Sequence, residues 1–295
     1  MKKLGLALGG GGLRGLSHIG VLQVLEKNRI PVHWLAGASS GSIIAALWSA
    51  GMSATAIEQM VLRLTPAQYL DYNISGFIKA LLSLAPQDAF QGFIQGRRLQ
   101  NLVFKATQGK YLNKVRLPLG IVSCDINTGQ QVLFTNQKPS LFDPSIAVIN
   151  GALLSDAVRS SVSIPGTFCP YLFQGMNLVD GGVIDNVPVN ILRMMQADYI
   201  MAVSLDKADF SAPSQGFVDV VSRSINILTY RTSAAAKQMY ADLILRPEAG
   251  EASLHDISLA AEIIASGRVE MERNLPRLLS GLKKQAGNIR AFKHI

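Results

Sequence analysis

Four consecutive glycines, Gly9 to Gly12, follow directly on a short apolar segment, Lys3 to Leu8. They lead into a stretch where Leu16, Ile19, Val21, Leu22 and Leu25 recur at helical spacing, ending near Asn28. A buried strand that empties into a glycine loop and then into a helix is a βα unit. The pattern repeats at once: Val32 to Ala38 reads as a second strand, and an Ala-rich helix runs from about Ser40 to Ala50. Two such units in succession predict a largely parallel sheet covered by helices on both faces. Further on, a helix is expected from Arg97 to Thr107, with strands at Leu117 to Cys124 and Gln131 to Thr135. A helix from Asn150 to Ser161, closed by Ile164-Pro165-Gly166, and a strand from Tyr199 to Leu205 complete this part.

Two other regions have a different texture. Between Thr65 and Phe93, prolines at positions 66 and 86 bracket Phe77, Ile78, Leu81, Leu82 and Leu84 with few charges. This segment reads either as a helix packed on the core or as a lid whose apolar face can meet lipid. After about Asp206 long helical stretches dominate, broken by a strand at Leu243 to Leu245. Leu275, Leu278, Leu279 and Leu282 fall on one face of a basic terminal helix near Arg277, Lys283 and Lys284, and Pro276 suits its first turn. Packing on the domain is the favoured role for that face, with docking on an anionic membrane as the alternative.

Composition narrows the class. At 295 residues the chain has room for one large α/β domain with an elaboration, and 48% of it is apolar against 16% charged. No uninterrupted apolar run reaches the roughly 18 residues of a membrane span. The apolar run after Met1-Lys2-Lys3 is too short for a signal peptide and lacks a small-residue cleavage site, so the chain reads as cytoplasmic. The formal charge of +8 favours anionic partners and leaves open peripheral contact with an anionic membrane. No nucleic-acid module accompanies it. Cys124 and Cys169 are too few for a disulfide framework, and His18, His33, His255 and His294 are scattered, so no metal or cofactor is expected.

The chemistry concentrates in three short motifs. In the glycine loop, Gly9-Gly10-Gly11-Gly12-Leu13-Arg14-Gly15, backbone N–H groups can converge on one negative charge at a helix start. A dinucleotide site would need an acidic residue about 20 positions on, where Gly37-Ala38-Ser39 stands instead. A P-loop would need Lys followed by Ser or Thr, and Leu16-Ser17 stands there. An oxyanion hole remains, beside the plain alternative of a flexible turn. Arg14, a cation at a helix start, calls for an anionic partner or a fixed structural task. The second motif, Gly37-Ala38-Ser39-Ser40-Gly41, fits G-x-S-x-G between strand and helix, the setting of a nucleophile elbow with Ser39 as its serine. Such a serine needs a base. His18, just past the glycine loop, and His255 are candidates, and His294 lies next to the terminus. The third motif, Asn177-Leu178-Val179-Asp180-Gly181-Gly182, offers Asp180 at the end of an apolar strand, with Asp185 as a second carboxylate.

In this order the motifs resemble those of the patatin-like phospholipases, particularly compact bacterial members related to the neuropathy target esterase group. The likeness runs from Leu4 to Leu205 and includes Ser161-Val162-Ser163-Ile164-Pro165-Gly166 and Asp185-Asn186-Val187-Pro188. It implies a three-layer αβα sandwich with a mostly parallel, mixed sheet over residues 4–205, and leaves residues 206–295 as a mainly helical extension packed on it. It further implies a Ser39–Asp180 dyad without histidine, and an oxyanion hole lined by Gly10, Gly11 and Gly12 with Arg14 in support. Gly15, Gly37, Gly41, Gly181 and Gly182 are then motif positions. The implied reaction is hydrolysis of fatty-acyl esters of phospholipids, lysophospholipids or glycerides through an acyl-enzyme. A regulatory protein on the same scaffold and a His-dependent esterase or thioesterase are the alternatives.

Overall fold

The computed structural model describes residues 1–81, 91–206, 216–250, 254 and 256–283. Its strands are β1 (Leu4–Leu8), β2 (Val32–Ala38), β3 (Gly92–Ile94), β4 (Leu119–Asp125), β5 (Gln131–Thr135), β6 (Ala147–Ile149), β7 (Gly166–Phe168), β8 (Tyr171–Phe173), β9 (Met176–Asp180), β10 (Tyr199–Val203) and β11 (Leu243–Leu245). The main sheet runs β11-β10-β1-β2-β4-β5-β6, with β3 and β7 forming a separate small pair. From β11 to β4 all neighbours are parallel, and β5 turns antiparallel to β4. β9 also pairs antiparallel with β4, and β8 pairs antiparallel with β9. Strand β11, from the region past Asp206, thus forms the edge of the same sheet.

The helices are α1 (Ser17–Lys27), α2 (Ser40–Ser49), α3 (Ala54–Val61), α4 (Pro66–Tyr69), α5 (Ile74–Leu81), α6 (Arg97–Ala106), α7 (Leu154–Ser161), α8 (Gly182–Asp185), α9 (Val189–Met194), α10 (Gly216–Tyr240) and α11 (Ala260–Lys283). Successive strand side chains point to opposite faces, and the layers follow from this alternation. Leu4, Leu6, Leu8, Leu35, Leu119 and Ile121 join one core with residues of α1, α2, α6, α7 and α11. Ala7, Ala36, Val122 and Ala202 face the other way, into a core shared with Val189, Ile191 and Leu192 of α9. Small residues on that face let α9 lie close to β1 and β2. The outcome is the expected sandwich, with helices on both faces of a mostly parallel sheet.

Three expectations need adjustment. Asn150 is not helical: it follows β6, and its amide donates to the carbonyls of Thr135 and Gln137 at 2.8 Å, so the helix starts at Leu154. Pro276 lies inside α11, not in a first turn. The helix tolerates the missing N–H because Met271, Leu278 and Leu282 on either side are buried in the core, which outweighs one lost bond. Leu279 is 38% exposed, and Lys284 lies outside the described residues. In the 65–93 segment, α4 packs on the body through Tyr69, while Ile74 and Ile78 of α5 are exposed. Leu82, Leu84 and Pro86, together with the side chains of Phe77 and Leu81, lie outside the described residues. Among the described residues, no helix is long and apolar enough to cross a membrane.

Candidate active site

Ser39 occupies the tight turn between β2 and α2, with φ 50° and ψ −128°. A non-glycine residue in that region is strained, by about 1–3 kcal/mol, and persists only where its surroundings impose it. Hydrogen bonds at both ends of the residue do so. The Ser39 N–H donates to Ser161 Oγ at 2.9 Å, and its carbonyl accepts from the Ser42 N–H (2.9 Å) and Ser42 Oγ (2.6 Å). Gly41 presses against the end of β1, where a Cβ would overlap the Leu8 carbonyl, and Gly37 packs on Gly41 from the strand side. Ser40 turns away from this arrangement: its buried Oγ packs under Gly15 and finds no hydrogen-bond partner among the described residues.

Asp180 reaches the same place through sheet register. Strand β2 pairs with β4 as far as Ala38 opposite Val122. At the next residue of β4, Ser123, the partner becomes Asp180 of the antiparallel β9. Hence β2 and β9 occupy one lane beside β4 and meet with their C-terminal ends facing, which places Ser39 and Asp180 against each other. One short segment fastens both ends. The Asp180 N–H donates to the Ser163 carbonyl at 2.9 Å, and the carbonyl of Ser161, whose hydroxyl holds Ser39, accepts from the Gly181 N–H at 3.4 Å. Asp180 Oδ1 accepts from the Gly182 N–H at 2.7 Å, while Oδ2 has no well-aligned partner among the described residues. Burial drives its pKa up to about 7, and the nearby Ser39 hydroxyl and Gly182 N–H pull it back only in part.

In the glycine loop two peptides are pinned from outside. Peptide C=O and N–H point in opposite directions, so fixing one aims the other. His18 Nε2 donates to the Gly9 carbonyl at 2.8 Å, and the Gly10 N–H donates to the Asn186 carbonyl at 3.0 Å. Arg14 Nε donates to the Gly11 carbonyl at 3.3 Å. The Gly11 and Gly12 N–H groups donate to no acceptor among the described residues. Gly10 allows the loop to approach the serine: a Cβ there would lie 2.7 Å from Ser39 Cβ and 2.5 Å from Asn186 Oδ1.

His18 is fully buried, and desolvation lowers its pKa to about 4, so it is neutral near pH 7. Because Nε2 faces a carbonyl it must carry the ring proton, and that nitrogen is committed to Gly9. His18 therefore braces the loop. His255 and His294 lie outside the described residues. Asp185, at the far end of α8, faces the side chains of Asn190 and Gln131.

From Ser39 an apolar pocket extends between α2, α3 and α6. Ile43, Leu47, Val61, Leu99 and Val103 form its walls; Ile164, Phe168, Leu254 and Ile257 add to it, and Gly12 and Gly15 border it. Ser39, Ser40 and Tyr69 are its only polar side chains among the described residues, and the Tyr69 hydroxyl donates to the Leu254 carbonyl at 2.7 Å. Among the described residues, no three His, Cys, Asp or Glu side chains converge on a metal-sized site.

Three contributors were not assigned roles from the sequence. Ser161 and Ser163 stood out only as family marks, and their clamp on both motifs depends on tertiary contacts. Arg159, buried one turn earlier, donates to Ser163 Oγ (2.5 Å) and the Cys169 carbonyl (2.8 Å), fastening that clamp to the pocket wall. A lone arginine in a short helix carries no signal of such a role.

Fold and site together define an αβα-sandwich protein with a strained serine turn, a buried carboxylate and a glycine loop at the C-terminal edge of its sheet. Residues 6–193 match the family model of patatin-like phospholipases, and the chain belongs to that family. An uncharacterized NTE family protein of Mycobacterium tuberculosis (strain CDC 1551 / Oshkosh) is 32% identical over 224 residues, covering 73% of this chain and 32% of the relative. Lysophospholipase NTE1 of Mycosarcoma maydis is 26% identical over 212 residues, 71% of this chain and 10% of the fungal protein. This chain spans 57% of the length of another mycobacterial NTE family protein, to which it is 26% identical over 239 residues, 79% of its own length. The crystal structure of VipD from Legionella pneumophila superposes on 94% of this chain and 67% of its own, with a TM-score of 0.50 at 14% identity. That likeness is one of fold.

Proposed function

We propose that the chain is a serine-type lipid acyl hydrolase in which Ser39 is the nucleophile and Asp180 its base. The observation that carries this is the end-to-end meeting of β2 and β9 beside β4, which brings a strained serine and a buried carboxylate together at the mouth of an apolar pocket. Family membership and relatives named as lysophospholipases support the same reading.

In this reading the acyl chain lies in the pocket and the ester carbonyl sits over Ser39. Ser39 Oγ attacks the carbonyl carbon while Asp180 takes the hydroxyl proton. The C=O bond opens to a tetrahedral oxyanion, and the Gly11 and Gly12 N–H groups stabilise it, helped by the N-terminus of α2. Gly10 serves close approach in place of donation, since its N–H is held by Asn186. Collapse of the intermediate breaks the ester C–O bond, and Asp180 returns its proton to the leaving alkoxide. Water then repeats the sequence on the acyl-Ser39 ester, releasing the fatty acid. With no charged side chain lining the pocket among the described residues, the acyl part binds inside and a polar headgroup stays outside.

The test combines labelling and turnover. A fluorophosphonate probe should form one adduct, mapped by peptide mass spectrometry to Ser39. Wild type should hydrolyse p-nitrophenyl esters of graded chain length and monoacyl phospholipid in detergent micelles. Labelling elsewhere, or ester turnover that persists in Ser39→Ala, would overturn the assignment.

A further inference from the structure

Next to the glycine loop lies a buried ionic cluster that lines no part of the pocket. Asp206, just past β10, pairs with Lys237 of α10, and both side chains are 5% exposed. Lys237 Nζ also donates to Ser204 Oγ at 2.9 Å, while Ser204 Oγ and Ser233 Oγ donate to Asp206 Oδ2 at 2.9 and 3.0 Å. The other carboxylate oxygen, Oδ1, accepts from Asn186 Nδ2 at 2.6 Å. A buried ion pair contributes little net stability, because desolvating both charges offsets their attraction. Its effect here falls on Asn186.

Asn186 stands between the two halves of the site. Its main-chain carbonyl holds the Gly10 N–H at 3.0 Å. Its Oδ1 is wedged where a Cβ on Gly10 would come within 2.5 Å and one on Gly182 within 2.8 Å. A carboxylate can only accept, so Asp206 forces the NH₂ end of the Asn186 amide toward itself and the oxygen toward the loop. Lys237 in turn holds the Asp206 carboxylate in place. Both ionic residues lie beyond position 193, outside the part of the chain that matches the family model.

We infer that Asp206 and Lys237 are positioning residues, which hold Asn186 and through it set the glycine loop and the turn after Asp180 relative to Ser39. Only the kinetic readout rests on the hydrolase reading. A misplacement of about 1 Å at a reacting centre costs up to about 100-fold in rate. Lys237→Met leaves a buried carboxylate unpaired, so kcat per fluorophosphonate-titrated site should fall about 10- to 100-fold, with KM changed less than about twofold. The double variant Asp206→Asn/Lys237→Met replaces the pair by a neutral group of the same shape. The amide oxygen introduced at position 206 can still accept from Asn186, and kcat should recover to within about threefold of wild type. A merely structural role would lower the melting temperature and the titratable fraction while leaving kcat per titrated site unchanged, and that result would overturn the inference.

Hydrogen–deuterium exchange of the peptide spanning residues 4–16 gives a readout independent of turnover. It should exchange faster in Lys237→Met than in wild type, with the β4–β5 hairpin unaltered. If wild type hydrolyses no ester, the hydrolase reading fails on its own and this exchange comparison decides the inference, unchanged loop exchange overturning it. If Lys237→Met does not fold, Lys237→Gln and the double variant take its place, with a several-fold kcat loss expected in the first and recovery in the second.

Discussion

Asp180 and Asp185 stand at the two ends of one short turn, and burial raises the pKa of each to about 7. Each has an Oδ2 without a well-aligned partner among the described residues. By burial and titration alone the two are indistinguishable. Their neighbours differ. Asp180 ends a strand, meets the strained Ser39 head-on and has one oxygen fixed by the Gly182 N–H. Asp185 ends a helical turn and faces the amide side chains of Asn190 and Gln131. A perturbed carboxylate thus marks a buried place in the fold, and sheet register decides which one meets a serine.

The largest effect expected is the difference between the two asparagine variants. Asp180→Asn should lower kcat/KM for p-nitrophenyl esters by about 1,000-fold or more, as should Ser39→Ala, since removing any member of such a unit disables the whole. Asp185→Asn should stay within about threefold of wild type. Equal losses in both would break the comparison and give α8 as a whole the role argued for Asp180.

A smaller effect is expected at the clamp. Ser161→Ala removes the acceptor of the Ser39 N–H and leaves that donor buried without a partner, at a cost of about 1–3 kcal/mol. Because the bond imposes the strained turn, kcat should fall about tenfold while Asp180 keeps its Ser163 contact. Unaltered kcat, with only the melting temperature reduced, would show that the turn is imposed by Gly41 and Ser42 without Ser161.

The pH dependence sharpens the comparison further. Both carboxyls have native pKa values above the unfolded value near 4, so the native state binds more protons between about pH 4 and 7. Stability should be greatest below about pH 4 with respect to these groups, fall as pH rises toward 7, and level off above it. At pH 8 each asparagine variant should therefore be more stable than wild type, by about 1–3 kcal/mol in denaturant titration, with the gain vanishing toward pH 4. Activity separates them: kcat/KM should rise with pH to a plateau with a midpoint near 7 in wild type and in Asp185→Asn alike. A midpoint displaced in Asp185→Asn would mean that the two carboxyls titrate as a coupled pair.

What could be read from the sequence was local. The glycine loop, the Ser39 elbow and the Asp180 turn each lie within a few residues, at a strand end whose apolar run is visible in the chain. The lane shared by β2 and β9 was not legible, because β9 is short and its pairing with β4 spans more than fifty positions. Nor was the Asn186–Asp206–Lys237 cluster, whose members are spaced without any periodic signal. Pro276 misled because a proline rule describes an isolated helix, whereas burial of Leu278 and Leu282 carries α11 through it.

His18 was ambiguous for a different reason: a histidine just after a glycine loop fits either a base or a brace, and only the direction of its hydrogen bond separates them. As a brace it contributes one N–H to the Gly9 carbonyl, a contribution that does not depend on titration. His18→Gln keeps an N–H donor at a similar reach and should retain activity within about fivefold. His18→Ala leaves the Gly9 carbonyl buried and unpaired beside a cavity, and should destabilise the fold by about 2–4 kcal/mol. Activity abolished in a well-folded His18→Gln would give the ring a chemical role in place of the brace. Retained activity, together with the Asp180→Asn loss, would leave the carboxylate as the group that takes the serine proton.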